Sequence, residues 1–132
     1  HVAPRTTRRV VVIDDNADAA DALGLLIAAL GGECRVAYSG ESGLAEILTS
    51  DPDIVFLDIG MPDIDGYEVC RRIRRSVGRD VVIVALTGWG KEQDKRDATR
   101  AGFNMHLTKP ADPLVLERML AADRPLALAN IP

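Results

Sequence analysis

Aromatic side chains are scarce: they make up 4% of the 132 residues, against 47% hydrophobic residues overall. The core must therefore be aliphatic, and a chain of this length buries such a core without disulfide staples. Cysteine is nearly absent. Cys34 and Cys70 stand far apart, in no Cys-x-x-Cys pair and with no clustered histidines, which argues against a zinc site or a thioredoxin-like redox site. Unpaired thiols fit a reducing cytoplasm, the expected location. No apolar run approaches the roughly 20 residues of a membrane span, and the basic opening stretch lacks the apolar centre of a signal peptide. No membrane contact is expected. Basic residues are in deficit as well, with 16 Lys and Arg against 20 Asp and Glu, a net charge of −4. Such a surface repels phosphate backbones as a whole, so no direct nucleic-acid partner is expected. Repeats and low-complexity segments are missing, and a prior of about 150 residues per domain leaves room for one domain. An initiating Met is absent too, so His1 reads as an artificial or a domain boundary rather than a natural start, which leaves room for a longer parent chain.

What is present is an alternation, five times over, of short apolar runs and helical patterns, the mark of βαβ units around a parallel sheet. The strands are expected at 10–13, 33–37, 54–57, 81–86 and 105–108. The first helix, 17–30, is closed by Gly31-Gly32. Ser39 caps a second helix with Leu44, Ile47 and Leu48 on one face, ending before Asp51-Pro52. A loop over 58–65 leads to a third helix, ended near Gly78, with Val69 and Ile73 inward and Arg71, Arg72, Arg74 and Arg75 mostly outward. A fourth helix spans about 91–101, and the last runs through Leu114, Leu116 and Leu120 into a Pro-punctuated tail. Strands one, three and four are continuous Val/Ile/Leu runs, as strands buried on both faces must be. Strand two contains Arg35, and strand five contains His106 and Thr108, so these belong at the edges. The order 2-1-3-4-5 follows, an α/β, doubly wound, flavodoxin-like parallel sheet whose ligand crevice lies at the carboxyl ends of strands one and three. The expected organisation is an arm or linker at 1–9, one domain at 10–122 and a tail at 123–132.

Asp14, Asp15 and Asp58 close strands at that crevice. Three carboxylates there repel each other by about 4 kcal/mol per pair at about 4 Å and an effective dielectric near 20. A cation must occupy the site. Lys109, at the end of strand five, supplies one charge, and a hard divalent ion with oxygen ligands balances the rest; Mg²⁺ is favoured because no His or Cys lies near these strand ends. Each residue also has an ordinary reading: Asp15 or Asn16 as a helix cap, Asp58 as a turn, Thr87 as a strand-end hydroxyl, Lys109 as a solvated lysine. Their agreement on one rim of the sheet favours the joint reading.

Val-Val-Ile-Asp-Asp-Asn at 11–16, Leu-Asp-Ile-Gly-Met-Pro-Asp-Ile-Asp-Gly at 57–66, Leu-Thr-Gly at 86–88 and Lys109-Pro110 together resemble the receiver domains of two-component response regulators, over residues 10–120. The resemblance implies a phosphoacceptor at Asp58 and Mg²⁺ held by Asp14, Asp15, Asp58 and the Gly60 carbonyl. It implies a switch hydroxyl at Thr87, a phosphoryl contact from Lys109 and a cis peptide at Lys109-Pro110. The phosphoryl donor is then the phosphohistidine of a histidine kinase or a histidine phosphotransfer domain. Phosphoryl transfer needs positioning and charge neutralisation above all, so a carboxylate nucleophile, a metal and a lysine suffice.

The family's switch position on strand five is often Tyr or Phe and here is His106. Its two readings are a moving switch residue and a half-exposed edge side chain. Trp89 either covers the pocket mouth or shields loop surface, and Gly88 leaves room for a phosphoryl group. Asp-Asn-Ala-Asp-Ala-Ala-Asp, Ala-Leu-Thr-Gly-Trp-Gly and Ala-Gly-Phe-Asn-Met-His-Leu-Thr-Lys-Pro are similar to receivers attached to hybrid sensor histidine kinases. An upstream kinase tethered through the basic arm is expected on that ground. The alternative is a Mg²⁺-dependent phosphatase of the haloacid-dehalogenase type, which needs a second Asp two residues after its nucleophile; Gly60 stands there. A flavin or nucleotide binder needs a phosphate-cradling loop after strand one, where Asp14-Asp15-Asn16 repels phosphate.

Overall fold

A computed structural model describes residues 7–77, 80–88 and 95–121. The elements run β1 (Arg9–Ile13), α1 (Ala17–Ala29), β2 (Glu33–Ala37), α2 (Gly40–Ser50), β3 (Ile54–Asp58), α3 (Gly66–Val77), β4 (Val82–Thr87), α4 (Lys95–Ala101), β5 (Met105–Thr108) and α5 (Pro113–Ala121). All strand pairs are parallel, in the order β2-β1-β3-β4-β5. The burial agrees with the composition argument: β3 and β4 are buried at every residue, whereas β2 and β5 alternate.

Because side chains alternate across a strand, each central strand feeds two cores. Val11, Ile13, Val55, Leu57, Ile83 and Ala85 face α2 and α3, while Val10, Val12, Phe56 and Val84 face α1 and α5. Helices thus cover both sides of the sheet, and every strand delivers its carboxyl end to one rim.

Some expectations need correction. Leu48 does not share the inward face of α2: it is 66% exposed. The stripe that packs is Gly40, Gly43 and Ile47, and a Cβ on Gly43 would lie 2.4 Å from Ile13 Cδ1. The helix therefore seats on its glycines, which leaves Leu44 at the flank and turns Leu48 to solvent. Arg74 is not outward either. It is half-buried, donating from Nη1 to the Val81 carbonyl (2.7 Å), from Nε and Nη2 to the Gly102 carbonyl (3.0 and 2.7 Å) and from Nη2 to Asn104 Oδ1 (2.6 Å). β4 starts one residue later than expected, at Val82, where its pairing with β3 begins opposite Ile54. β1 starts one residue earlier, and Asp58 ends β3 rather than opening the loop. Trp89, the Gly78 helix stop, the first residues expected for α4, the arm before residue 7 and the tail beyond residue 121 lie outside the described residues.

Candidate functional site

The carboxyl rim is built by short local turns. Asp14 follows β1 directly; its N–H donates to the Ala37 carbonyl (3.1 Å), and its Oδ1 accepts from the Asn16 N–H (3.0 Å). Asn16 caps α1, its side chain accepting from the Ala19 N–H at 3.0 Å, so the capping role falls to Asn16 and leaves both aspartates free for the rim. Asp58 Oδ1 accepts from the Gly60 N–H at 2.9 Å, the same two-residue reach. At the end of β5, the Lys109 N–H donates to the Thr87 carbonyl (2.9 Å), and the peptide between Lys109 and Pro110 is cis. From there Lys109 Nζ lies 2.8 Å from Asp14 Oδ2 and 3.3 Å from Asp58 Oδ2.

Asp14, Asp15 and Asp58 each offer a carboxylate oxygen within 4.8 Å of the others. Asp14 and Asp58 are buried and Asp15 is exposed, so the cluster opens to solvent on one side. Burial pushes the Asp14 carboxyl above its ordinary pKa, opposed by Lys109 and the Asn16 N–H and reinforced by Asp58. At Asp58 burial also acts upward, but the Gly60 N–H, Asp14 and Lys109 together hold it below its ordinary value. Burial acts downward on Lys109, and the two aspartates more than reverse it. One ammonium against three carboxylates leaves a double negative charge. An all-oxygen donor set with that residual charge fits a hard divalent cation such as Mg²⁺.

Thr87 is buried at the end of β4, its Oγ1 3.4 Å from the Leu107 carbonyl. His106 pairs in register with Ala85, on the sheet face that Thr87 shares one pleat on, and it is exposed. The structure thus gathers Asp14, Asp15, Asp58 and Lys109, puts Thr87 beside them on the rim and leaves His106 on the outer edge. Two features went unread in the sequence. One is the Gly60 N–H, whose signal was the Asp-x-Gly spacing. The other is a cavity of about 370 Å³ beside Asp14 and Lys109, walled by Leu23, Leu26, Pro110 and Ala111.

A doubly wound sheet carrying an acidic cluster and a lysine at its carboxyl rim defines a class of metal-assisted phosphoryl acceptors. The family model for the response regulator receiver domain matches residues 10–121, and the chain belongs to that family. An uncharacterized 14.6 kDa protein from the sodA1 3′ region of Leptolyngbya boryana is 35% identical over 84% of this chain and 86% of its own length. The DNA-binding dual master transcriptional regulator RpaA of Synechocystis is 34% identical over 89% of this chain, which spans only 48% of that relative. Among solved structures, a response regulator from Chloroflexus aurantiacus superposes with a TM-score of 0.75 at 34% identity, covering 83% of this chain and 91% of its own. The chemotaxis protein CheY4 of Vibrio cholerae gives 0.79 at 23% identity, covering 86% and 96%, a likeness of fold.

The chain is therefore a receiver domain of two-component signalling, a phosphoacceptor module. The phosphatase alternative finds no support, since Gly60 occupies the position where its second Asp is required. No described helix is long and apolar enough to cross a membrane.

Proposed function

We propose that Asp58 is the phosphoacceptor, taking a phosphoryl group from the phosphohistidine of a histidine kinase or a histidine phosphotransfer domain. The carrying observation is Lys109 Nζ between Asp14 and Asp58, at 2.8 and 3.3 Å. An Asp58 oxygen forms the new bond to phosphorus while the phosphorus–nitrogen bond of the donor breaks, its electron pair returning to the imidazole. The Gly60 N–H and Lys109 orient the Asp58 carboxylate, and Lys109 neutralises charge that develops on the phosphoryl oxygens. Asp14, Asp15, Asp58 and the Gly60 carbonyl would hold Mg²⁺. When bound, the ion supplies charge neutralisation between these carboxylates and the phosphoryl group.

On this reading the domain assists its own phosphorylation and dephosphorylation. Thr87 donates its hydroxyl to the new phosphoryl oxygens, which carry about −1.5 to −2 charges at neutral pH. His106, one pleat away on β5, then acquires different contacts in the two states, the minimum that a population shift requires. Beryllofluoride standing in for the phosphoryl group should move both side chains, and Thr87→Ala should uncouple them; unchanged imidazole NMR shifts would leave His106 an edge residue. The surrounding organisation is an arm at 1–9, the receiver at 10–122 and a tail at 123–132, in the cytoplasm, without direct nucleic-acid or membrane contact. A kinase core in the reading frame upstream of His1 would establish the tethered, hybrid arrangement.

The deciding experiment is phosphorylation by acetyl phosphate with Mg²⁺, read by intact mass. Asp58→Asn is expected to remain folded and unmodified. Stoichiometric phosphate on that variant sinks the assignment.

A further inference from the structure

The charge of this protein is unevenly placed. From Val10 to Cys34 there is no Lys or Arg, whereas α3 carries Arg71, Arg72, Arg74 and Arg75. With Arg74 turned inward, the other three converge on a single carboxylate, Glu68, at 3.1, 3.1 and 3.2 Å. Among the described residues, only Arg72 of these three reaches a second acid, Glu41 at 3.4 Å. The α3 face is thus left net positive in a chain of net charge −4.

Next to this face, a groove of about 330 Å³ runs between α2 and α3. Its walls are Leu44, Ile47, Leu48 and Ile73, and its rim carries Arg72 and Arg75. Leu48 projects there with 66% of its surface exposed. An exposed leucine in a groove whose rim carries Arg75, an arginine that shares Glu68 with two others, is an incomplete surface.

We propose that the α2–α3 groove docks an acidic amphipathic helix of a partner protein, its apolar anchors covering Leu48 and its carboxylates meeting Arg72 and Arg75. The groove is bounded by helices of 11 and 12 residues. Its lining runs over 44–48 on α2 and 72–77 on α3, roughly 6–8 Å at a rise of about 1.5 Å per residue, which receives an i, i+3/i+4 anchor pair with the next turn lying over the rim. Ion pairs at an exposed surface are held weakly, so carboxylates from outside exchange for Glu68 at little cost. A second copy on the same face would bring like surplus charge together across a two-fold axis, which disfavours self-pairing there. The surface lies outside the acidic rim, and the inference stands independently of the role of Asp58.

The probe is a blocked synthetic helix of about five turns with leucines at i, i+4 and i+7 and glutamates beside them. It is titrated into the full chain and followed by amide NMR shifts and fluorescence anisotropy. The expected result is saturable binding with shifts confined to α2 and α3. Leu48→Glu and Arg75→Glu should each weaken it by about tenfold. Both variants should keep the native melting temperature and acetyl-phosphate reactivity, which separates lost docking from lost folding. Three results overturn the proposal: no binding, equal binding of a lysine-for-glutamate version, or shifts centred on another face. Sedimentation equilibrium supplies a fourth, a dimer abolished by Leu48→Glu, which would assign the groove to a second copy.

Discussion

Arg74 and the Asp14–Asp58 pair are both charges withdrawn from water, and they are satisfied in opposite ways. The Arg74 guanidinium meets two backbone carbonyls and an amide oxygen, all neutral, in four hydrogen bonds of 2.6 to 3.0 Å. Four of its five N–H donors are used, and its charge is spread over fixed dipoles. The aspartates meet each other, exposed Asp15 and one lysine. Their hydrogen bonds are made, but their charge is not cancelled. A withdrawn charge whose partners are complete serves to hold the fold, whereas one left in deficit has the electrostatics to take a cation.

That contrast predicts its largest effect on stability at Arg74. Arg74→Ala takes the guanidinium from the Val81 and Gly102 carbonyls and leaves Asn104 Oδ1 with the Ile83 N–H alone, at the junction of α3, β4 and the turn before β5. The expected loss is about 3 kcal/mol in urea unfolding, with acetyl-phosphate reactivity retained. A loss below about 1 kcal/mol would show that water replaces the guanidinium and that the clamp is dispensable.

The next effect belongs to the deficit. Mg²⁺ at about a hundred times its dissociation constant should stabilise the native chain by roughly 2.7 kcal/mol. Asp14→Asn should abolish most of that gain and raise the metal-free stability by relieving repulsion. Arg74→Ala should keep the whole gain from its lower baseline. Melting curves in Mg²⁺ and in EDTA measure all three; a Mg²⁺ gain that survives Asp14→Asn would remove Asp14 from the ion's ligands.

The sheet order was legible because burial on both faces leaves a compositional trace in β1, β3 and β4, and the rim followed once the order was known. Asp14 and Asp58 were legible for the same reason, since each sits where an apolar run stops; Asp15 and Lys109 followed from their places beside Asp14 and at the end of strand five. Arg74 was not, because a helical periodicity of basic residues looks the same whether all four reach solvent or one folds under to a neighbouring turn. Its signal lay in Gly102 and Asn104, far along the chain, and nothing local connects them. Leu48 misled for a related reason. Glycines carry no hydrophobic signature, so a helix that seats on Gly40 and Gly43 hides its packing stripe and advertises its leucines.

A smaller effect tests the geometry of the clamp. Gly102 has φ +113°, and a Cβ there would lie 2.9 Å from Arg74 Cγ. Gly102→Ala should cost about 1–2 kcal/mol, part backbone strain and part displacement of the arginine stem. In an Arg74→Ala background only the backbone part remains, so a double-mutant cycle should give a penalty smaller than the sum. Strict additivity would mean that the arginine shifts without resistance.

The smallest effect lies where the two kinds of site meet. The Asn16 backbone N–H holds Asp14 Oδ1 at 3.0 Å, while its side chain caps α1 through Ala19 at 3.0 Å. Asn16→Ala removes only the cap, so stability should fall by about 1 kcal/mol while Mg²⁺ binding is kept. Asn16→Asp keeps the cap and suits the positive end of the helix, but adds a fourth carboxylate beside the cluster. Without metal the two influences oppose each other, and the variant should sit within about 0.5 kcal/mol of the native chain. With Mg²⁺ the added repulsion is screened by the ion, so the stabilising increment should exceed the native one. Equal increments for Asn16→Asp and the native chain, measured at matched Mg²⁺ concentrations, would show that the charge deficit ends at Asp15 and that Asn16 belongs to the helix alone.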